Sequence, residues 1–182
     1  MDIVVFHVNY RHAPQYPFPA AHNDALDAFD WLWQNAKEFG GDVDKLVVGG
    51  VSAGANLAVS VGLARNGMAD KNTKMVEIRG LVLGIPWLII NKEKISYEKY
   101  DQKEKASRIQ CDDAPVQSGK VLEFFVNCMG KKVKEKGEID PDVGLVESEK
   151  LKRLPIVTFM VAGNDALRDE AFFFAQDLQA QG

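Results

Sequence analysis

The sequence predicts an α/β fold built on a mostly parallel sheet, and three observations carry that prediction. Short apolar runs alternate with helical periodicity in the order strand, helix, strand, helix, strand and, later, strand and helix. The apolar runs are nearly continuous, as in strands covered on both faces, rather than alternating with polar residues. One run also ends on a glycine-flanked serine directly before a helix of small residues, a connection typical of parallel sheets.

The elements follow in order. Ile3 to Tyr10, "IVVFHVNY", is β-branched and aromatic and is expected as a buried strand. "RHAPQYPFP" carries three prolines in nine residues and must be an irregular loop. In "AAHNDALDAFDWLWQNAKEFGG", Leu26, Phe29, Leu32, Trp33, Ala36 and Phe39 recur at three- and four-residue steps, which predicts an amphipathic helix. Pro19 suits its first turn and Gly40-Gly41 its end.

"KLVVGGVS" is a second short strand, and "AGANLAVSVGLAR" a helix ended by Asn66-Gly67. A third strand lies within Ile78 to Ile90, broken by Pro86. A fourth lies within Leu154 to Gly163, followed by a last helix, "DEAFFFAQDLQAQ". Between them, Asn91 to Arg153 departs from the alternation. It opens on a Lys/Glu run, holds one clear helix near Ser118 to Met129, and reads as a binding or lid-like excursion within a single domain spanning 1–182.

Composition narrows the function classes. The chain has 182 residues, 46% apolar and 26% charged, with a net charge of −4 and no basic tract, which argues against a nucleic-acid partner. No apolar run reaches the ~20 residues of a membrane span, and "MDIVVFHVNYR" lacks the basic start of a secretory leader. The two cysteines, Cys111 and Cys128, fit neither a disulfide framework nor a zinc pattern. A cytoplasmic protein with no metal and no organic cofactor is expected.

The chemistry concentrates at Gly50-Val51-Ser52-Ala53-Gly54. A serine hydroxyl attacks well only when a base takes its proton and its Oγ stands clear of the sheet. A sharp strand-to-helix turn does the second, and places a helix N-terminus beneath the developing oxyanion. In so tight a turn the backbones approach closely two residues either side of the serine, so glycine is expected at both Gly50 and Gly54. Ser52 is then the nucleophile and the Ala53 N–H one oxyanion donor. The alternative is a glycine-rich phosphate turn, but neither a P-loop Lys-Ser/Thr nor a G-x-G-x-x-G is present. Asp165, directly after the fourth strand, either orients a catalytic base or caps the last helix. Asp169 and Glu170 read as first-turn acids facing that helix's dipole.

Taken together, three stretches resemble the hormone-sensitive-lipase-like branch of the α/β-hydrolases, the fold-3 esterases. "VNYRHAPQYPFPAAHNDALDAFDWL" is similar to its V-D-Y-R-L-A-P-E-x-P-F-P-A segment, "GVSAGANLA" to its G-D-S-A-G-G-N-L-A elbow, and "GNDALRDEA" to its D-P-L-R-D-E acid motif. "DAPVQSGKVLEFFVNCMG" resembles the segment before the acid strand. The resemblance implies an α/β-hydrolase fold with helices on both faces of the sheet, Ser52 as nucleophile, Asp165 as triad acid and a small-molecule ester as substrate. Departures at Asn9, His12, Val51, Ala55 and Ala166 are substitutions within those motifs.

Two parts of the family pattern have no counterpart: the H-G-G-G oxyanion motif upstream and the triad histidine downstream. The expectation is therefore an incomplete fold, lacking N-terminal strands and a last strand, with weak or no activity of its own. The Ile3–Tyr10 and Lys45–Ser52 strands should not be neighbours, leaving apolar edges that favour aggregation or a partner. Of the histidines, His7 falls in a predicted buried strand and His22 in a helix. His12 is the remaining candidate base, out of the fold's usual chain order. A non-catalytic ligand-binding protein on this fold and a nonfunctional truncated product are the alternatives to an esterase.

Overall fold

A computed structural model describes residues 3–68, 76–100, 102–130 and 140–181. Helix α1 (Ala20–Asn35) starts at Pro19 and runs into a 3-10 turn, Ala36–Phe39. Gly40 ends it at φ +79, where a side chain would be strained, and its N–H donates to the Lys37 carbonyl at 3.1 Å.

Three strands follow: β1 (Leu46–Val51), β2 (Ile78–Gly84) and β3 (Ile156–Met160). They pair in parallel in the order β1-β2-β3. Helix α2 (Ala53–Arg65) joins β1 to β2, and α6 (Arg168–Gln179) follows β3. Parallel neighbours need such crossovers, which explains the alternation in the sequence.

One face of the sheet carries the core. Val48, Leu81, Leu83, Val157 and Phe159 meet Phe29 of α1, Ala55, Ala58 and Val59 of α2, and Phe174 of α6. Helix α2 lies against β1, β2 and α1 together. Its run of Ala, Gly, Val and Ser fits because it is buried nearly all round. On the other face Val47, Val51, Ile156 and Met160 are 53–81% exposed.

The first predicted strand does not form. Residues 3–10 carry no ladder, and Ile3 and Val5 are 70% and 79% exposed. β-Rich composition makes a strand only where a neighbour supplies hydrogen bonds, and β1 pairs only with β2 among the described residues. The segment is instead held by Phe6, whose ring meets Trp31 and Phe39 edge-on at 6.4 and 5.5 Å. No strand of the described residues lies between it and β1.

The excursion is a series of short turns. Three 3-10 turns, Lys92–Lys94, Tyr97–Lys99 and Lys103–Lys105, lead to α3 (Ser107–Gln110) and α4 (Gly119–Met129). The predicted helix is α4, and Ser118 caps it by accepting from the Val121 N–H. A further 3-10 turn, Val143–Leu145, and α5 (Ser148–Leu151) return the chain to β3. Residues 101 and 131–139 of the excursion lie outside the described residues. No helix of the described residues is long and apolar enough to cross a membrane.

Candidate active site

The carboxyl ends of the strands lie in one row: Val51 pairs with Gly84, and Gly84 with Met160. Ser52 comes one residue past that row and Asp165 five residues past it, so both emerge at the edge where open α/β sheets place their ligands.

Ser52 has φ 54 and ψ −115, a strained conformation for a residue with a side chain, and is half-buried. Its N–H donates to the Gly84 carbonyl at 2.9 Å. Its carbonyl accepts from Ala55, Asn56 and Trp87 N–H groups at 3.1, 3.2 and 3.3 Å. Helix α2 begins at Ala53, whose N–H, first in the helix, has no intrahelical acceptor. It remains available to an anion at that end.

The two glycines of the motif differ. A Cβ on Gly50 would sit 2.3 Å from the Gly54 carbonyl carbon and oxygen, so the turn closes only with glycine there. A Cβ on Gly54 would meet nothing within 4 Å. The expectation that both positions need glycine therefore holds at Gly50 alone: the close approach is of Gly54's backbone to Gly50's α-carbon, and the space beside Gly54 is open.

Asp165 is buried, and its Oδ1 accepts from the Leu167 N–H at 2.8 Å. Its carbonyl accepts from Arg168, the first residue of α6. This local turn fixes the carboxyl just ahead of the helix, where the N-cap position itself is Leu167.

Asp169 and Glu170 do more than face the dipole. Glu170 Oε2 accepts from the N–H groups of Leu88 and Ile89, both at 2.9 Å, and Arg108 Nε donates to its Oε1 at 2.8 Å. Burial pushes the Glu170 carboxyl up to about 7, against the pull of Arg108 and the two amides. Asp169 Oδ2 accepts from the Ser107 N–H at 2.7 Å, and Arg168 Nε donates to its Oδ1 at 2.8 Å. Burial raises its pKa, but the hydrogen bonds from Arg168, Ser107 and Tyr100 outweigh it, and the net shift is downward. The helix that follows Asp165 thus anchors both the excursion and the turn after β2.

Among the described residues, no hydrogen bond joins a histidine to Ser52 or Asp165. His7 is exposed, in place of the burial expected for it. The His12 ring lies 4.8 Å from that of Tyr10. His22 is buried, with its Nε2 3.1 Å from Asn56 Oδ1. Asn56, a position of the elbow motif to which the sequence assigns no role, donates from Nδ2 to the carbonyls of Trp87 and Pro141 at 2.8 and 2.7 Å.

Trp87 also lines a cavity of about 940 Å3 beneath α4, shared with Phe18, Ile90, Leu122 and Val126. Lys94 and the buried Asp142 pair at 2.6 Å on its wall. Among the described residues no group of three or more His, Cys, Asp or Glu is placed to hold a metal ion.

A family model described as alpha/beta hydrolase fold matches residues 1–182. The versiconal hemiacetal acetate esterase of Dothistroma septosporum is 30% identical over 183 residues, covering 98% of this chain and 52% of that protein. The arylesterase of Saccharolobus solfataricus is 28% identical over 181 residues, covering 100% and 53%. Among solved structures, vibralactone cyclase superposes with a TM-score of 0.78 at 26% identity, over 96% of this chain and 48% of that one. The esterase LipW from Mycobacterium marinum gives 0.74 at 26% identity, over 95% and 48%. The chain spans about half the length of the curated relatives it matches.

Proposed function

Because the chain belongs to the α/β-hydrolase fold-3 esterase family, we propose that it carries the nucleophile and acid of a serine carboxylic-ester hydrolase. One observation supports this most directly. Ser52 is held at φ 54 on a strand-to-helix turn, above the N-terminus of α2.

In this reading Ser52 Oγ attacks the acyl carbon and its proton passes to an imidazole oriented by Asp165. The oxyanion that forms is held by the Ala53 N–H. The carbon–oxygen bond to the alcohol then breaks, and the alcohol leaves with the proton. Water repeats the sequence on the acyl-enzyme and releases the acid.

No histidine of the described residues fills the base's role, so the 182-residue chain alone is expected to turn esters over slowly. A fluorophosphonate probe, followed by mass spectrometry of the Ser52 peptide, tests the proposal. The chain takes the probe at Ser52, faster when free imidazole supplies a proton acceptor, and Ser52→Ala takes none. Equal labelling of Ser52→Ala, or no label on the Ser52 peptide at any imidazole concentration, refutes it.

A further inference from the structure

The Ser52 peptide is gripped at both ends by the turn after β2. Its N–H donates to the carbonyl of Gly84, and its carbonyl accepts from Trp87. Between these lies Ile85, at φ 35. A β-branched residue with positive φ is an outlier, and such a conformation persists only where the surroundings over-determine it. The Ile85 N–H donates to the Met160 carbonyl at 2.7 Å, which ties the turn to the end of β3.

Beside that bond and the grip of Glu170 on Leu88 and Ile89, Asn56 supplies the hold on Trp87. It lies in the first turns of α2, four residues after Ser52, and is 2% exposed. Two carbonyls, of Trp87 and Pro141, face its side-chain nitrogen. Only an NH2 group serves two acceptors, so the amide orientation follows from its surroundings, and His22 must donate from Nε2 to Oδ1. The bonds close a ring. Trp87 N–H binds the Ser52 carbonyl, Asn56 Nδ2 binds the Trp87 carbonyl, and the Asn56 N–H returns to the Ser52 carbonyl. Through Pro141 and His22 the same side chain ties the ring to the later part of the excursion and to α1.

We propose that Asn56 is a positioning residue for Ser52, acting through the Gly84–Trp87 turn. The proposal rests on the reading of Ser52 as the nucleophile. Without the amide, the Trp87 carbonyl loses its partner and the turn no longer fixes the Ser52 peptide. A nucleophile displaced by ~1 Å loses reactivity by about 100-fold.

Amide hydrogen exchange, expressed as protection factors, reads the clamp without requiring chemistry at Ser52. In Asn56→Ser, protection at Ser52 and Trp87 falls at least about tenfold, while Leu81 and Leu83 of β2 keep theirs. Asn56→Asp adds a pH profile. Its buried carboxyl, with His22 facing one oxygen, donates its single proton to the Trp87 or the Pro141 carbonyl when protonated and repels both when ionised. Protection at Trp87, and the rate of fluorophosphonate labelling relative to the parent, therefore recover as pH falls. A purely structural role gives no such recovery confined to the elbow. If Asn56→Ser does not fold, the acid limb of Asn56→Asp decides. Unchanged protection at Ser52 and Trp87 overturns the proposal, as does a loosened elbow that still labels at the parent rate. Selective loosening in a protein whose parent takes no probe supports the clamp and refutes the nucleophile reading instead.

Discussion

Gly50→Ala and Gly54→Ala are the same chemical change at the two glycines of one motif, and the structure separates them. At Gly50 the new methyl carbon lies 2.3 Å from Gly54 carbonyl atoms and 2.8 Å from the Ala55 nitrogen. Ordinary contact begins at 3.4 Å, so β1 and the start of α2 must part by about 1.1 Å, the difference of 3.4 and 2.3. All three nearest atoms are backbone, so no side chain can swing aside. Strand β1 is also pinned to β2 at this level by the Gly50–Leu83 pairing. Overpacking of this kind costs on the order of 1–3 kcal/mol or more. At Gly54 the methyl meets nothing within 4 Å, and the residue lies in a helix, where alanine is favoured over glycine by up to ~1 kcal/mol. Urea unfolding of the two variants beside the parent checks the pair. Gly50→Ala loses at least about 1 kcal/mol and Gly54→Ala is neutral or gains. A Gly50→Ala variant within about 0.5 kcal/mol of the parent, or a Gly54→Ala variant that loses as much, refutes the steric reasoning.

Glu170 gives a pH dependence. Its folded carboxyl keeps a proton up to about 7 and the ordinary value is 4.5, so between those values the folded state binds more protons than the unfolded. Stability therefore falls as pH rises across that window. The urea midpoint of the parent declines there, and Glu170→Gln removes the decline; an identical slope in both proteins would count against it. Arg108→Met leaves the Glu170 carboxyl buried with only two amides, and a loss of about 3 kcal/mol is expected above pH 7, read by thermal melting. On the outer sheet face, Val47 and Ile156 flank Gly80 in one row. Val47→Lys with Ile156→Lys lowers concentration-dependent association in sedimentation without changing stability by more than about 0.5 kcal/mol.

The elbow was legible because its signal is local. Strand β1, Ser52 and α2 are consecutive, and each flank shows its own periodicity. The last helix and α4 were legible for the same reason. Ile3–Tyr10 misled because its composition speaks of strands, and composition cannot say whether a neighbour is present to complete the ladder. Gly54 misled because a motif records glycine without recording which glycine's α-carbon is approached. Asn56 stood in the elbow motif, but its role was unreadable because its partners lie 31 and 85 residues away, and Arg108 meets Glu170 across 62. Contacts at such separations leave no periodic trace in one sequence. Asp169 and Glu170 showed that limit in part: their place at a helix start was readable, but the groups they bind were not.

The order β1-β2-β3 also acts as a ruler. Ladder spacing is about 4.8 Å, so the strands that deliver Ser52 and Asp165 stand roughly 10 Å apart, axis to axis. Ser52 and Asp165 lie one and five residues past the ends of those strands, and among the described residues no hydrogen bond joins them. In the reading proposed above, an imidazole bonded through both ring nitrogens joins the two. Strand β2 lies between the two strands, and what it contributes is a width.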